Sequence, residues 1–301
     1  MAEAVLIIGY GRAGKRHAKM AAGLGLDVQV YDPYLPIGGI ERDGFTRALS
    51  LGWPLESEQD FIDDLRRVTQ GWCGYAVICT PPKEHLWQLR ICLEAGFKVL
   101  CEKPLCGNGQ LDEAKQLPTD APVMVAYNYR YHPKLVKVKG KFNRYPVRMV
   151  CSQYRPELPE WGLLLDHCSH DLDIMRMLTG LPLKVTRAKY GEYRYHYAVD
   201  SKDTTEDVKD WTISLQGTSL TSSSLLLHSF YEAVSTNKHK EREATIKYGW
   251  GDDLITAIDI DPDPRMFTDM CAAFLNGDYY PDLTEAIKTQ ELLEQCYSLE
   301  G

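Results

Sequence analysis

The stretch Val5-Leu6-Ile7-Ile8-Gly9-Tyr10-Gly11-Arg12-Ala13-Gly14 constrains the fold of this chain more than any other. A short apolar run rich in β-branched residues reads as a strand buried on both faces, as in a parallel sheet. It ends in Gly9-x-Gly11-x-x-Gly14, and a helical pattern follows through Ala18, Met20 and Leu24. Each glycine has its own reason. Gly9 allows a tight strand-to-helix turn, Gly11 lets a pyrophosphate approach the backbone, and Gly14 lets the helix lie close on the strand. The helix N-terminus then offers unpaired N–H groups and a partial positive charge to phosphate oxygens. A second strand, 28–31, ends in Asp32, near the separation expected of a ribose-binding carboxylate.

The same rhythm continues. Ser57 is a candidate N-cap for a helix through Phe61, Leu65 and Val68. A strand at 75–79 leads into Thr80-Pro81-Pro82, a helix over 83–95 stops at Gly96, and a strand at 98–101 leads into Glu102-Lys103-Pro104. A short helix near 111–117 and a strand at 123–126 complete the alternation, which predicts a doubly wound parallel sheet, a Rossmann domain over 1–121. Beyond that the pattern changes. A helix over 163–178 is followed by strand-like segments at 183–193, 209–216, 219–229, 242–249 and 253–260. Strands in succession imply an antiparallel or mixed sheet, so 122–301 is expected to be an α+β domain with a mostly antiparallel open sheet. Two closing helical patterns carry Met266, Phe267, Met270 and Phe274, then Ile287, Leu292, Leu293 and Cys296, and both stripes read as core. A length of 301 residues suits two domains.

Composition narrows the classes of function. The net charge of −8 argues against nucleic acid and against anionic membranes, which reward clustered lysine and arginine. No apolar run reaches membrane-spanning length, and Met1-Ala2-Glu3 leads straight into a strand with no room for a signal peptide. The nine cysteines are odd in number, form no Cys-x-x-Cys pair and mostly fall in apolar patterns. Buried free thiols in a reducing, cytoplasmic compartment are expected.

Four signatures in order now resemble one family. They are Gly9-x-Gly11-x-x-Gly14-x-x-His17, Thr80-Pro81-Pro82-x-x-His85, Glu102-Lys103-Pro104, and Asp166-His167-Cys168-Ser169-His170-Asp171-Leu172-Asp173. The family is the glucose–fructose oxidoreductase and inositol dehydrogenase group (Gfo/Idh/MocA), and the resemblance runs over essentially the whole chain. The last segment departs from the family's Asp-x-Gly-x-His-x-x-Asp, with Cys168 where glycine is usual and His167 where an apolar residue is usual. The resemblance implies a two-domain dehydrogenase that moves a hydride between NAD (or NADP) and a hydroxyl or ketone carbon of a sugar, sugar derivative or cyclitol. It implies cofactor contacts from Gly9, Tyr10, Gly11, Arg12, Ala13, Gly14, Asp32, Thr80, Pro81, His85, Glu102 and Lys103. Lys103 matches the active-site lysine, His170 the general acid/base, and Asp166 the aspartate at the reacting hydroxyl.

The residue chemistry agrees with those roles. A histidine with an ordinary pKa of ~6.5 is suited to taking a hydroxyl proton. On a helix Asp166, His170 and Asp173 fall within roughly 60° of one another, giving an acidic face opposite the core positions Cys168, Leu172 and Met175. Lys103 follows a parallel strand at the edge where open α/β sheets bind ligands, and its ammonium could hold a developing alkoxide. Arg130 is a further candidate for substrate contact. A solvated Asp–His face beside a surface lysine is the plainer explanation of the same residues. His167, Cys168 and His170 are all metal-ligand types, but no second cluster has zinc-type spacing, and no metal is expected. Redox-neutral NAD-dependent glycoside hydrolysis and a non-catalytic NAD-binding regulator are the rival functions. Apolar residues in 220–227 suggest a sheet face paired between subunits, as a homodimer or homotetramer.

Overall fold

A computed structural model of the chain describes residues 4–32, 46–48, 59, 62, 74–140, 147–154, 168–180, 183–195, 208–219, 224–233, 243–248, 255–260 and 263–298. The chain divides into two compact units, one of Met1–Tyr127 with Thr268–Ile287, the other of Asn128–Phe267 with Lys288–Gly301.

The first unit is built on β1 (Ala4–Ile8), α1 (Arg12–Gly23), β2 (Asp27–Tyr31), β3 (Thr46–Ala48), β4 (Tyr75–Ile78), α2 (His85–Glu94), β5 (Lys98–Cys101), α3 (Leu111–Ala114) and β6 (Val123–Val125). All strand pairs are parallel, and the sheet runs β3-β2-β1-β4-β5-β6. That order is the doubly wound Rossmann arrangement, with its reversal between β1 and β4. The apolar runs are buried as expected, with Ile7, Ile8, Ala76, Ile78, Val99 and Val123 fully inaccessible. β3 adds a strand that the alternation alone does not predict. The Ser57 helix falls largely outside the described residues, of which 59 and 62 are helical.

A distant segment completes this unit. The Tyr75 hydroxyl donates to the Leu275 carbonyl at 3.1 Å, and its ring meets Phe274 edge-on at 5.4 Å. The Val125 N–H donates to the Pro281 carbonyl, and Leu283 and Ala286 join Leu6, Val99 and Tyr127 in one core.

The second unit carries β7 (Val147–Tyr154), β8 (Leu183–Tyr195), β9 (Val208–Ser219), β10 (Ser224–Ala233), β11 (Glu243–Tyr248) and β12 (Ile255–Ile260), in the order β12-β11-β7-β10-β9-β8. The pairs are antiparallel except β7 with β10, which run parallel from Val147↔Leu225 to Tyr154↔Glu232. Five of the six strands are those that the sequence pattern predicts; β7 is the addition. Its sequence, VRMVCSQY, has no period-two alternation to announce it, yet it pairs on both sides. The unit also holds α4 (Pro133–Val136) and α5 (Ser169–Thr179), with parts of α6 (Arg265–Leu275) and α7 (Leu283–Ser298). Leu172, Met175, Leu178, Met266, Leu292, Leu293 and Cys296 form its core. Both closing stripes are therefore core, as their periodicity suggests.

Candidate active site

The glycine turn has the geometry that its spacing implies. Gly9 sits at φ +89°, a conformation that favours glycine, and a Cβ there would meet the Cys79 carbonyl carbon at 2.9 Å. A Cβ on Gly14 would meet the Gly9 carbonyl oxygen at 2.0 Å, so α1 can lie this close to the turn only without a side chain at 14. At Gly11 an added Cβ would touch no protein atom within 4 Å. Its glycine identity is therefore not demanded by packing, which fits a position that a bound pyrophosphate approaches. Gly11 is the N-cap of α1 and no side chain caps the first turn, whose N–H groups lack intrahelical partners, as at any helix N-terminus. The Tyr10 N–H donates to Asp32 Oδ2 at 2.5 Å, which ties the carboxylate at the end of β2 to the turn. Lys15 Nζ lies 5.8 Å from the Tyr10 ring centre, close enough for a cation–π contact.

Glu102 organises the next layer. Its Oε1 accepts from Arg16 Nη2 at 2.9 Å and pairs with His17 Nε2 at 2.9 Å, while Oε2 accepts from the Lys103 N–H at 3.2 Å. Burial pushes this carboxyl up, but the His17 hydrogen bond and the charges of His17, Arg16 and Lys103 outweigh it and bring the pKa to about 2. Cys271 Sγ lies 4.0 Å from the other ring nitrogen of His17. Glu102 is thus a buried brace between α1 and the strand β5 that leads to Lys103. Both of its carboxylate oxygens have partners within the protein.

His85 is likewise interior, with no exposed surface. Its Nε2 lies 2.8 Å from the Thr80 carbonyl and its Nδ1 2.9 Å from the Pro104 carbonyl. The Thr80 hydroxyl also donates to Gln88 Oε1 at 2.6 Å, one helical turn further along α2. Thr80 and Lys103 are part-exposed and Pro81 is exposed, so these three remain where a ligand can reach them, whereas the His85 ring does not.

In the second unit, His170 stands in the first turn of α5 and is part-exposed in a helix that is otherwise almost wholly buried. Its ring meets Tyr129 edge-on with centroids 5.1 Å apart, and Tyr129 stacks on His132 at 6.4 Å. Arg130 departs from its expected role. Its guanidinium makes a bidentate pair with Asp173, Nε to Oδ2 at 2.7 Å and Nη2 to Oδ1 at 2.6 Å, with side chains 2% and 1% exposed. Arg176 Nη1 donates to Thr289 Oγ1 at 2.7 Å, and the Thr289 hydroxyl donates to Asp173 Oδ1 at 3.0 Å. Arg130 therefore ties its turn to α5 rather than offering a fork to a substrate, and Asp173 lies in the core, not on an open acidic face. Cys168 is buried in the same core. Asp166 and His167 lie outside the described residues. Among the described residues no group of three or more histidine, cysteine or acidic side chains is placed to hold a metal.

Spacing proposed the glycines and Asp32 as candidates, and the family resemblance proposed Thr80, Lys103 and His170. Spacing could not point to Gln88, Tyr129, Cys271 or Thr289, because each joins its partner only through the fold.

Comparison with known proteins adds independent support. Residues 4–129 match the model of an oxidoreductase family with an NAD-binding Rossmann fold. Inositol 2-dehydrogenase of Rhizobium meliloti is 28% identical over 198 residues, 60% of this chain and 56% of the relative. The matches span only a little over half the length of the curated relatives. Among solved structures, myo-inositol dehydrogenase from Lactobacillus casei, with NAD(H) and myo-inositol, aligns at TM-score 0.70 and 13% identity, over 99% of this chain and 94% of that one. The WlbA dehydrogenase from Thermus thermophilus, with NAD and α-ketoglutarate, aligns at TM-score 0.67 and 18% identity, over 99% and 96%. At such identities these structures speak for the fold.

Proposed function

We propose, from the match of residues 4–129 to the model of an oxidoreductase family with an NAD-binding Rossmann fold, that the chain is a Gfo/Idh/MocA-type, NAD-dependent oxidoreductase acting on a CH–OH group of a sugar, sugar derivative or cyclitol. The observation that carries this reading is the turn after β1. Gly14 is sterically obligatory, Gly11 leaves an approach to the backbone, and Asp32 is tied to Tyr10. Bound there, NAD would supply the hydride acceptor or donor. Arg12, Ala13 and Gly14 would meet its phosphates with backbone N–H groups, and Asp32 would bind a ribose hydroxyl. Thr80, Pro81 and Lys103, at the carboxyl ends of β4 and β5, would border the cofactor on its other side.

For the chemistry, Lys103 would donate to the reacting oxygen and stabilise the alkoxide. His170 would take the hydroxyl proton and Asp166 would orient the hydroxyl. A substrate of the inositol kind is suggested by the names of the similar proteins. Asp32 favours NAD over NADP, since its carboxylate would repel a 2′-phosphate; Arg12, Lys15 and Arg16 are the opposing charges. The remainder of the reading is a substrate-binding and oligomerisation role for 122–301, a homodimer or homotetramer, and a cytoplasmic home. No helix among the described residues is long and apolar enough to cross a membrane.

The test is a screen of the purified protein with NAD and NADP against inositols, free sugars and nucleotide sugars. Reduction of NAD by one of them is expected. On that substrate His170→Ala and Lys103→Ala should each lower kcat ~10²–10⁴-fold, and their combined loss should be less than the product of the two. His170→Ala should leave NADH binding unchanged. If both variants keep kcat within a few-fold of the parent, the assignment of these roles fails.

A further inference from the structure

His85 holds an unusual position within the first unit. It is the first residue of α2, has no exposed surface, and its imidazole spans two chain segments. Nε2 lies 2.8 Å from the Thr80 carbonyl, in the turn that leaves β4, and Nδ1 lies 2.9 Å from the Pro104 carbonyl, in the turn that leaves β5. β4 and β5 are parallel neighbours, paired from Tyr75↔Lys98 to Ile78↔Cys101, so both turns leave the same edge of the sheet. The Glu102 N–H donates to the Ile78 carbonyl at 2.9 Å just past the last paired residues. Beyond it, the His85 ring bridges the two turns.

Carbonyl oxygens only accept, so each contact is a hydrogen bond when the facing nitrogen carries a proton. A neutral ring makes one of the two bonds in either tautomer, and an imidazolium makes both. Burial disfavours the imidazolium, while the Thr80 and Pro104 carbonyls and the nearby Glu102 charge favour it. In every state the ring keeps a donor between the two backbone oxygens. Gln88, one helical turn on, reinforces one arm through the Thr80 hydroxyl.

We propose that His85 is a positioning residue that clamps the Thr80 turn to the Lys103-Pro104 turn, so that the two turns form one rigid rim for the dinucleotide. The inference rests on the proposed NAD-dependent function for its consequence, and on geometry alone for the clamp itself. His85 touches no ligand in this scheme. It acts through Thr80, Pro81 and Lys103.

Two substitutions separate hydrogen bonding from space filling. His85→Phe keeps a ring and removes both donors; His85→Gln loses the ring and keeps an N–H donor. Hydrogen exchange of peptides covering 79–83 and 102–107 is read by mass spectrometry, alongside titration of each variant with NADH. In His85→Phe both peptides should lose protection while peptides covering β1 and β4 keep theirs, because opening is local. NADH should bind about tenfold more weakly, the cost of one lost buried hydrogen bond. His85→Gln should be the milder variant in both measurements. The clamp is overturned if His85→Phe is the milder one, or if the two peptides keep parental protection in both variants. A variant that loses protection uniformly has failed to fold, and the other variant then decides against the same criteria. If the parent protein does not bind NADH, the functional reading fails, and the exchange pattern still decides the clamp.

Discussion

Gly11 and Gly14 are three positions apart in one turn, yet an added methyl meets opposite surroundings at the two sites. At Gly14 it would lie 2.0 Å from a backbone oxygen; at Gly11 it would meet nothing. Gly14→Ala should therefore cost about 3 kcal/mol or more of stability, as overpacking against backbone cannot relax cheaply. Gly11→Ala should cost less than about 1 kcal/mol, the scale of an N-cap change, and yet weaken NADH binding. Urea denaturation and NADH titration of the two variants check this, and equal stability losses would contradict it. Glu102 supplies a pH prediction. Its folded-state pKa of about 2 lies below the ordinary 4.5, so the folded state holds fewer protons than the unfolded state between those values. The stabilisation, roughly 3 kcal/mol, is fully present above pH 4.5 and is lost as pH falls toward 2. Melting temperature measured across that window should fall more steeply for the parent than for Glu102→Gln, which has no such proton to take up.

At the scale of elements, α5 shows how a correct helix can carry a misread face. The periodicity rightly places Leu172 and Met175 in the core. It also groups Asp173 with His170 on one polar side, and a polar side reads as solvent or site. In the fold that side is divided, His170 part-exposed and Asp173 paired with Arg130 at 2.6 and 2.7 Å. The turn Asn128–Tyr131 supplies Arg130 to hold α5 and Tyr129 to pack against His170, so the ion pair also secures the histidine's neighbour. Breaking such a buried pair from one side leaves an uncompensated charge. Asp173→Leu should destabilise by about 3–5 kcal/mol, and adding Arg130→Met should recover part of that loss. Urea denaturation of the single and double variants measures it; additive losses would mean that the pair is not coupled.

On the scale of the whole molecule, the first unit is not contiguous in sequence. Phe274, Leu275, Pro281, Leu283 and Ala286 complete its core and edges from the far end of the chain. A fragment of residues 1–127 should lack a cooperative thermal transition. The same fragment joined by a flexible linker to residues 268–287 should regain one, as followed by circular dichroism; a cooperative melt of 1–127 alone would refute this. The proposed homo-oligomer is a separate matter, to be read by light scattering at micromolar concentration. Its motivation, the apolar residues of 220–227, rests on positions whose side chains lie outside the described residues.

Local physics accounts for what the sequence determined by itself. A β-branched run, three spaced glycines and strand–helix alternation are short-range signals, and they suffice for the parallel sheet, the turn after β1 and the edge where Thr80 and Lys103 emerge. Lys103 and His170 could be singled out as candidates because each sits in a motif whose neighbours are adjacent in sequence. Tertiary structure alone decided the rest. Glu102 meets Arg16 and His17 across more than eighty positions, Cys271 lies beside His17 across 254, and Thr289 reaches Asp173 across 116. No periodicity encodes such pairings, because helix and strand periods report which way a side chain points and not what it meets there. Whether Arg130 and His85 serve a ligand or the protein interior depends on which carboxylate or carbonyl the folded chain brings to them.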